Sequence, residues 1–442
     1  MNVFIKIKNS PLFLLLPLIG IFTADLALFS NMGYSGGMIF AVLILAIAAF
    51  LNLEQSYYLI AFCLPFSSVL KFSESSITII PILYAIIILK LAFFEKQKMK
   101  LCPLIALASL AVLQIVSVAI YNSSISSVIS LLLSCFFVLY SACFFSSKSN
   151  VGKNMLKSTA LYLAIAVALN ILLSDMFPQA MSIISASKQE ALETHSRFGA
   201  LLVEPNELSQ VILVAVGFLV ATFSSYKHIM SKVGIGALIA YLVINGIRTN
   251  SKSYVLTLFG LFCVLMLLLI LRFFKKKHSA FALVGFLILL IVGAVAGYYL
   301  IYNVIVPVFE MRGENADLLT GRDDIWQKYL EAIKQRLDVA LIGCGAGNAV
   351  ALLKMTDIIG YNVPHNLYIE YLVQFGIAGI VALLISWADA FNNMKGKSVL
   401  FWIPALAFLV TAFGISANSN DCIFITLIIL SMPMFKCGGT DS

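Results

Sequence analysis

Charge is what this sequence has least of. Only 11% of its residues are charged, where soluble domains carry about a quarter. That scarcity excludes an ordinary water-soluble globule. The eight cysteines include no CxxC pair, which removes zinc-ribbon and dithiol chemistry. Most lie in apolar runs and read as small buried hydrophobes. No repeat of solenoid length and no low-complexity segment stands out. No cleavable leader is evident: Lys6 and Lys8 precede an apolar run without a convincing small-residue cleavage site, so that run is expected to be a first membrane span.

What is present is hydrophobic length. Apolar residues make up 61% of the 442, and many runs reach the roughly 20 residues that cross a bilayer core. The expected fold is an all-α polytopic membrane protein with about 14 transmembrane helices. Their expected bounds are 11–30, 36–53, 56–71, 77–94, 101–121, 124–146, 156–174, 206–225, 231–247, 253–272, 279–302, 366–388, 398–415 and 421–436. On this reading 1–174 is an N-terminal scaffold and 175–205 a first long outer loop. Residues 206–302 are central membrane helices, 303–365 a second long outer loop with the catalytic residues, and 366–442 the C-terminal membrane helices.

The net charge of +8 matters less than its distribution. With the N-terminus in the cytoplasm, 17 of the 29 basic residues fall on the cytoplasmic side, and short outer turns such as 121–124 carry no charge. Both termini are then cytoplasmic and both long loops face outward. Nucleic acid is not an expected partner. Five of the six arginines (Arg197, Arg248, Arg312, Arg322 and Arg336) lie on the outer side, whereas most lysines do not. Topology signalling does not sort Arg from Lys. The planar guanidinium fork, which grips phosphate or carboxylate with two hydrogen bonds, does. The outer arginines read as an anion-binding set, with local carboxylate pairing the alternative for one or two of them.

Around these arginines the outer segments carry further signals. Arg197 stands before Gly199, and Pro205-Asn206 suits a helix start. Arg248 ends a span, followed by Thr249, Asn250, Ser251 and Lys252. Such a cluster can hold a diphosphate or serve as an interfacial anchor. In the second loop, Trp326, Leu330, Ile333 and Leu337 recur at helical spacing, the apolar face of an amphipathic helix lying on the bundle. Arg322 falls in its first turn, where the helix dipole disfavours a cation, so a phosphate shared with the helix mouth would suit it. Asp323 and Asp324 read as helix caps rather than metal ligands. The stretch 341–348, with Gly343, Gly345 and Gly347, reads as a tight turn beside the site. His365 closes the loop at the start of a span, and its side chain suits a general base. Asn366 follows it. Glu370 either orients His365 or lies on the opposite face, and Gly376 and Gly379 allow close helix packing.

Four features together resemble the O-antigen ligase and polymerase superfamily of bacterial glycan assembly, over roughly residues 195–385. They are His365-Asn366 followed by Gly376-x-x-Gly379, Gly321-Arg322 with Trp326, the Gly343-x-Gly345 turn, and Arg197 with Pro205-Asn206. The resemblance implies a glycosyltransferase of the bacterial inner membrane that needs no metal, nucleotide or other cofactor. Its substrate would be an oligosaccharide linked through diphosphate to undecaprenol, and its partners membrane lipid and a chain-length regulator protein. His365 would be the catalytic base, Arg197, Arg248 and Arg322 the diphosphate-binding arginines, and Asn366, Glu370, Arg312 and Arg336 supporting residues. A polymerase of repeat units is the preferred reading. A ligase acting on a lipid A core and a lipid-linked glycan flippase are the alternatives.

Overall fold

The computed structural model describes residues 12–74, 76, 78–96, 98–147, 152–187, 198–274, 280–307, 322–358, 363–388 and 403–414. In chain order its α-helices are α1 (Leu12–Met32), α2 (Tyr34–Phe50), α3 (Leu53–Cys63), α4 (Ile80–Leu89), α5 (Leu101–Tyr121) and α6 (Ile125–Ser147). Then come α7 (Gly152–Met176), α8 (Pro178–Ser187), α9 (Pro205–Thr222), α10 (Ile229–Arg248), α11 (Lys252–Phe274) and α12 (Ala280–Leu300). The last are α13 (Arg322–Gln335), α14 (Leu337–Ile342), α15 (Ala349–Met355), α16 (Leu367–Ser386) and α17 (Ile403–Thr411).

Among the described residues, 8 helices are long and apolar enough to cross a membrane, and four shorter apolar helices accompany them. The chain is thus a multi-pass helical membrane protein; the expected count of 14 spans extends over segments outside the described residues. One difference has a plain cause. The segment 56–71 is not a full span: α3 starts on an Asn52–Gln55 capping box and gives way after Cys63 to a short 3-10 turn containing Pro65. Proline inside a helix removes a backbone donor and clashes with the preceding turn. The expected span 421–436 lies outside the described residues.

The core is built from rings and small side chains. Phe22 of α1 meets Phe62 and Phe66 at 5.2 and 4.5 Å between centroids, and Tyr58 stacks on Tyr162 of α7 at 5.1 Å. Four of the six described cysteines are buried, while Cys102 and Cys263 are exposed. The buried Lys90 donates to Ala48 O, Leu51 O and Ser56 Oγ. It thereby closes the carbonyl end of α2, where a cation is favoured. Nearly every residue of α9 is buried. It packs along α17, where a β-carbon on Gly217 would stand 2.9 Å from Pro404 Cα.

The amphipathic helix forms, but on a different face from the expected one. α13 buries Tyr329 and Ala332, with Ile325, Trp326 and Ile333 half-buried, and leaves Leu330 and Leu337 exposed. Tyr329 and Ala332 lie three apart on one side of the helix, and Leu337 belongs already to α14.

Candidate active site

The Tyr121 end of α5 collects the polar parts of the molecule. Asp338 of α14 accepts from Tyr121 Oη at 2.8 Å, and Asn348 Nδ2 donates to Tyr121 O at 3.1 Å. The segment Gly343–Ala346 is buried and enters the bundle. It does so because α16 is not one continuous helix. Gly376 takes φ 62 and ψ 177, which breaks the helix and releases carbonyls that a straight helix would use internally. Cys344 N takes Val373 O at 2.8 Å and Gly345 N takes Gln374 O at 3.0 Å. Ala346 N donates to Gln114 Oε1 at 2.8 Å, and Ser117 Oγ donates to Gly343 O at 3.1 Å. Three consecutive strap amides therefore find partners at a depth where an orphan would cost about 1–3 kcal/mol. Gly343 and Gly345 are required here: their φ angles are 79 and 95, and a β-carbon would overlap Gln374 O in one case and Ser123 Oγ in the other. Gly376 was expected to serve close helix packing and instead makes the break. Gly379 does pack closely, its β-carbon position lying 3.4 Å from Leu110 of α5.

The first half of α16 carries His365 at its mouth. Asn366 Oδ1 accepts from Tyr368 N and Ile369 N at 3.0 and 3.2 Å, the N-cap that ends the loop. His365, just outside the cap, is half-buried at φ 45, a left-handed conformation that a non-glycine residue seldom holds. Pro364 before it accepts from Trp326 Nε1 at 2.8 Å. Trp326 is one turn from Arg322, so α13 brings Arg322 and the His365 turn into one neighbourhood.

Arg322 Nη1 donates to Gly414 O at 3.1 Å. The β-carbon position of Gly414 lies 3.0 Å from Arg322 Nη1 and 3.3 Å from Ser253 Oγ, so the guanidinium and the start of α11 share this corner. Ser253 bonds Ser251 at 2.9 Å, and Ser251 donates to Asn206 Oδ1 at 2.9 Å. Between the two serines, Lys252 is only 8% exposed. A buried ammonium is a costly group that the fold must compensate, and in sequence Lys252 directly precedes Ser253 of the Arg322 corner. The sequence reading had put its weight on Arg248 for its fork. Lys252 and its serines stood in the same stretch, but their burial was not readable there.

Other expected residues are placed differently. Arg248 holds Asp175 through two nitrogens at 2.9 and 3.0 Å, bonds Asn245 at 2.8 Å and lies 3.9 Å over the Phe198 ring. Arg336 holds Asp338 at 2.7 and 3.0 Å. Its fork pulls the Asp338 carboxyl far below the usual carboxylate range. Two of the five arginines expected on the outer side are thus paired locally. Glu370 is buried and accepts from Gln374 Nε2 at 2.8 Å. Burial first, and then the Glu370 charge, push the Tyr329 phenol above its ordinary range. Arg197 and Arg312 lie outside the described residues. The described groups that gather here are mainly N–H and O–H donors, and no three described His, Cys, Asp or Glu side chains converge.

Residues 237–384 match the O-antigen ligase family model. The match runs from within α10 to near the end of α16, and contains Arg248, Lys252, Arg322, Arg336, His365, Asn366 and Glu370. It is consistent with the O-antigen ligase/polymerase superfamily, whose members are glycosyltransferase-like membrane enzymes working on lipid-linked glycans. Gln114, Asn206 and Gly414 touch this matched segment from outside it. No curated protein matches the chain.

Proposed function

We propose that the chain is a glycosyltransferase that polymerises undecaprenyl-diphosphate-linked oligosaccharide repeat units at the periplasmic face of the bacterial inner membrane, with both termini cytoplasmic. The observation that carries this reading is the 2.8 Å bond from Trp326 Nε1 to Pro364 O, which ties the helix bearing Arg322 to the turn bearing His365. A substrate arriving outside the cell's nucleotide supply must bring its own leaving group, and a diphosphate suits the cationic corner. Arg322 and Lys252 would contact it, Arg197 would reach it from the first outer loop, and Arg248 would add charge tempered by Asp175. Arg312 and Arg336 would support the same anion from the second outer loop, and Asn366 would fix the helix mouth.

His365 accepts the proton of the acceptor sugar hydroxyl. The freed oxygen attacks the anomeric carbon, and the carbon–oxygen bond to the diphosphate breaks. The lipid diphosphate leaves with the electron pair, its charge held by the cations. The proton then passes from His365 to the departing phosphate or to water. A single displacement inverts the anomeric centre. No step calls for a metal.

A second reading, transfer of a finished glycan to a lipid A core, is favoured by the description of the matched family as O-antigen ligase. A deletion strain separates the two: single-repeat glycans mark a polymerase, accumulated lipid-linked long chains a ligase. In the same strain His365→Ala is expected to lose about 10²-fold or more of chain extension at equal protein level. Full extension by His365→Ala would sink the polymerase reading, and undiminished transfer of finished chains to the lipid A core would sink the ligase reading.

A further inference from the structure

We propose that Gln114 of α5 is a positioning residue for His365, acting through the break in α16; the inference rests on the function proposed above. Gln114 is fully buried and lies outside the residues matched by the family model. It sits seven residues below Tyr121, about 10 Å along α5. Its amide faces two ways: Oε1 accepts from Ala346 N at 2.8 Å and Nε2 donates to Gln374 O at 3.4 Å. Ala346 belongs to the inserted strap and Gln374 to the last turn before the break at Gly376. Gln114 is therefore the one side chain described as bonding both.

The segment from Leu367 to Phe375 is too short to hold its own geometry as an isolated helix. Its front is fixed by the Asn366 cap and the Trp326–Pro364 bond. Its rear is fixed by Cys344, Gly345 and Gln114 on the carbonyls of Val373 and Gln374. Loss of Gln114 leaves Ala346 N without its acceptor and loosens that rear anchor. The half-helix can then tilt, and His365 at the other end moves off its line to the acceptor hydroxyl. The diphosphate corner has its own anchors in α11, α13 and Gly414, away from the two partners of Gln114.

The test uses the full-length protein in lipid nanodiscs, with a synthetic polyprenyl-diphosphate-linked repeat unit as donor. Gln114→Met keeps the size and removes both hydrogen bonds. It is expected to lower kcat per folded molecule about tenfold or more, since small misplacements are costly in turnover. The donor KM should stay within about twofold. Gln114→Glu, protonated in this fully buried position, keeps the acceptor for Ala346 N and a donor for Gln374 O, and should recover most of the loss. Should Gln114→Met fail to accumulate, Gln114→Asn decides, because its shorter amide cannot span both partners and the same fall in kcat is expected. Wild-type kcat per folded molecule in the deciding variant, or a change confined to KM or thermal stability, overturns the inference. His365→Ala is run alongside: if it is inactive while the Gln114 variant is normal, this inference alone falls. If His365→Ala turns over normally, the functional reading falls with it.

Discussion

Two segments of the chain turn back into the bundle, and they solve one problem by opposite means. The Phe198–Val203 segment before α9 buries Ala200, Leu201 and Leu202 completely. Its backbone takes positive φ at Ala200 (46) and at Val203 (67), where L side chains are disfavoured. It is held by Leu201 N on Asn170 Oδ1 at 3.3 Å and Phe198 N on Arg248 O at 3.4 Å. The Gly343–Ala346 segment meets the same demand with glycine at its positive-φ positions, and its amides have shorter partners. The first segment stores strain and is held against it by Asn170 and Arg248. The second is relaxed and relies on space. Each borders a residue of the proposed site: Arg197 directly precedes the first in sequence, and the half-helix that starts after His365 bonds the second.

The contrast can be broken most sharply at its glycine side. Gly343→Val puts a β-branched side chain at φ 79 against Gln374 O, and is expected to cost more than about 3 kcal/mol and abolish accumulation of folded protein, read by fluorescence-detected size exclusion. A smaller effect of opposite sign is expected on the other segment. Ala200→Gly removes a left-handed alanine and should raise stability by up to about 1 kcal/mol, seen as a higher melting midpoint in detergent. An equal fall in both variants would mean that the first segment is not strained.

The ion pairs give the smallest effects. Arg248–Asp175, with side chains 43% and 47% exposed, clamps the first segment, and Arg336–Asp338, at 31% and 46%, leads into the second. Half-exposed pairs of this kind contribute about 0.2–1 kcal/mol. Asp175→Asn should therefore lower the melting midpoint slightly more than Asp338→Asn, because Arg248 also covers Phe198. The Asp338 carboxyl is depressed in the folded protein. Its contribution is thus complete above the ordinary carboxylate range and fades only as pH falls below it. A melting series in acid should show the wild type losing its advantage over Asp338→Asn only at the acid end. An advantage that disappears near neutrality would contradict the pairing.

Much of this was legible in the residues themselves. Hydrophobic length gave the membrane class, Asn366 gave the start of α16, and the spacing of Gly343 and Gly345 gave a tight turn. The insertion of that turn was not legible, because its partners Gln114 and Ser117 are more than two hundred residues away and look like incidental polar residues of a span. The strain at Ala200 and Val203 was hidden for the converse reason: no glycine marks the positions that need one. Lys252 stood in the sequence as one member of a polar cluster after Arg248, and its burial could not be read there. In α13, apolar spacing selected Leu330 and Leu337, whereas the bundle took Tyr329 and Ala332.

The break at Gly376 has one more consequence. Because the helical stub between Asn366 and Gly376 is gripped at both ends, its length is as fixed as its composition. One residue added or removed within it would turn the histidine end by about 100° and shift it by about 1.5 Å relative to the strap. The stub behaves as a spacer of set phase, and a change of register there would be harder to absorb than most changes of side chain.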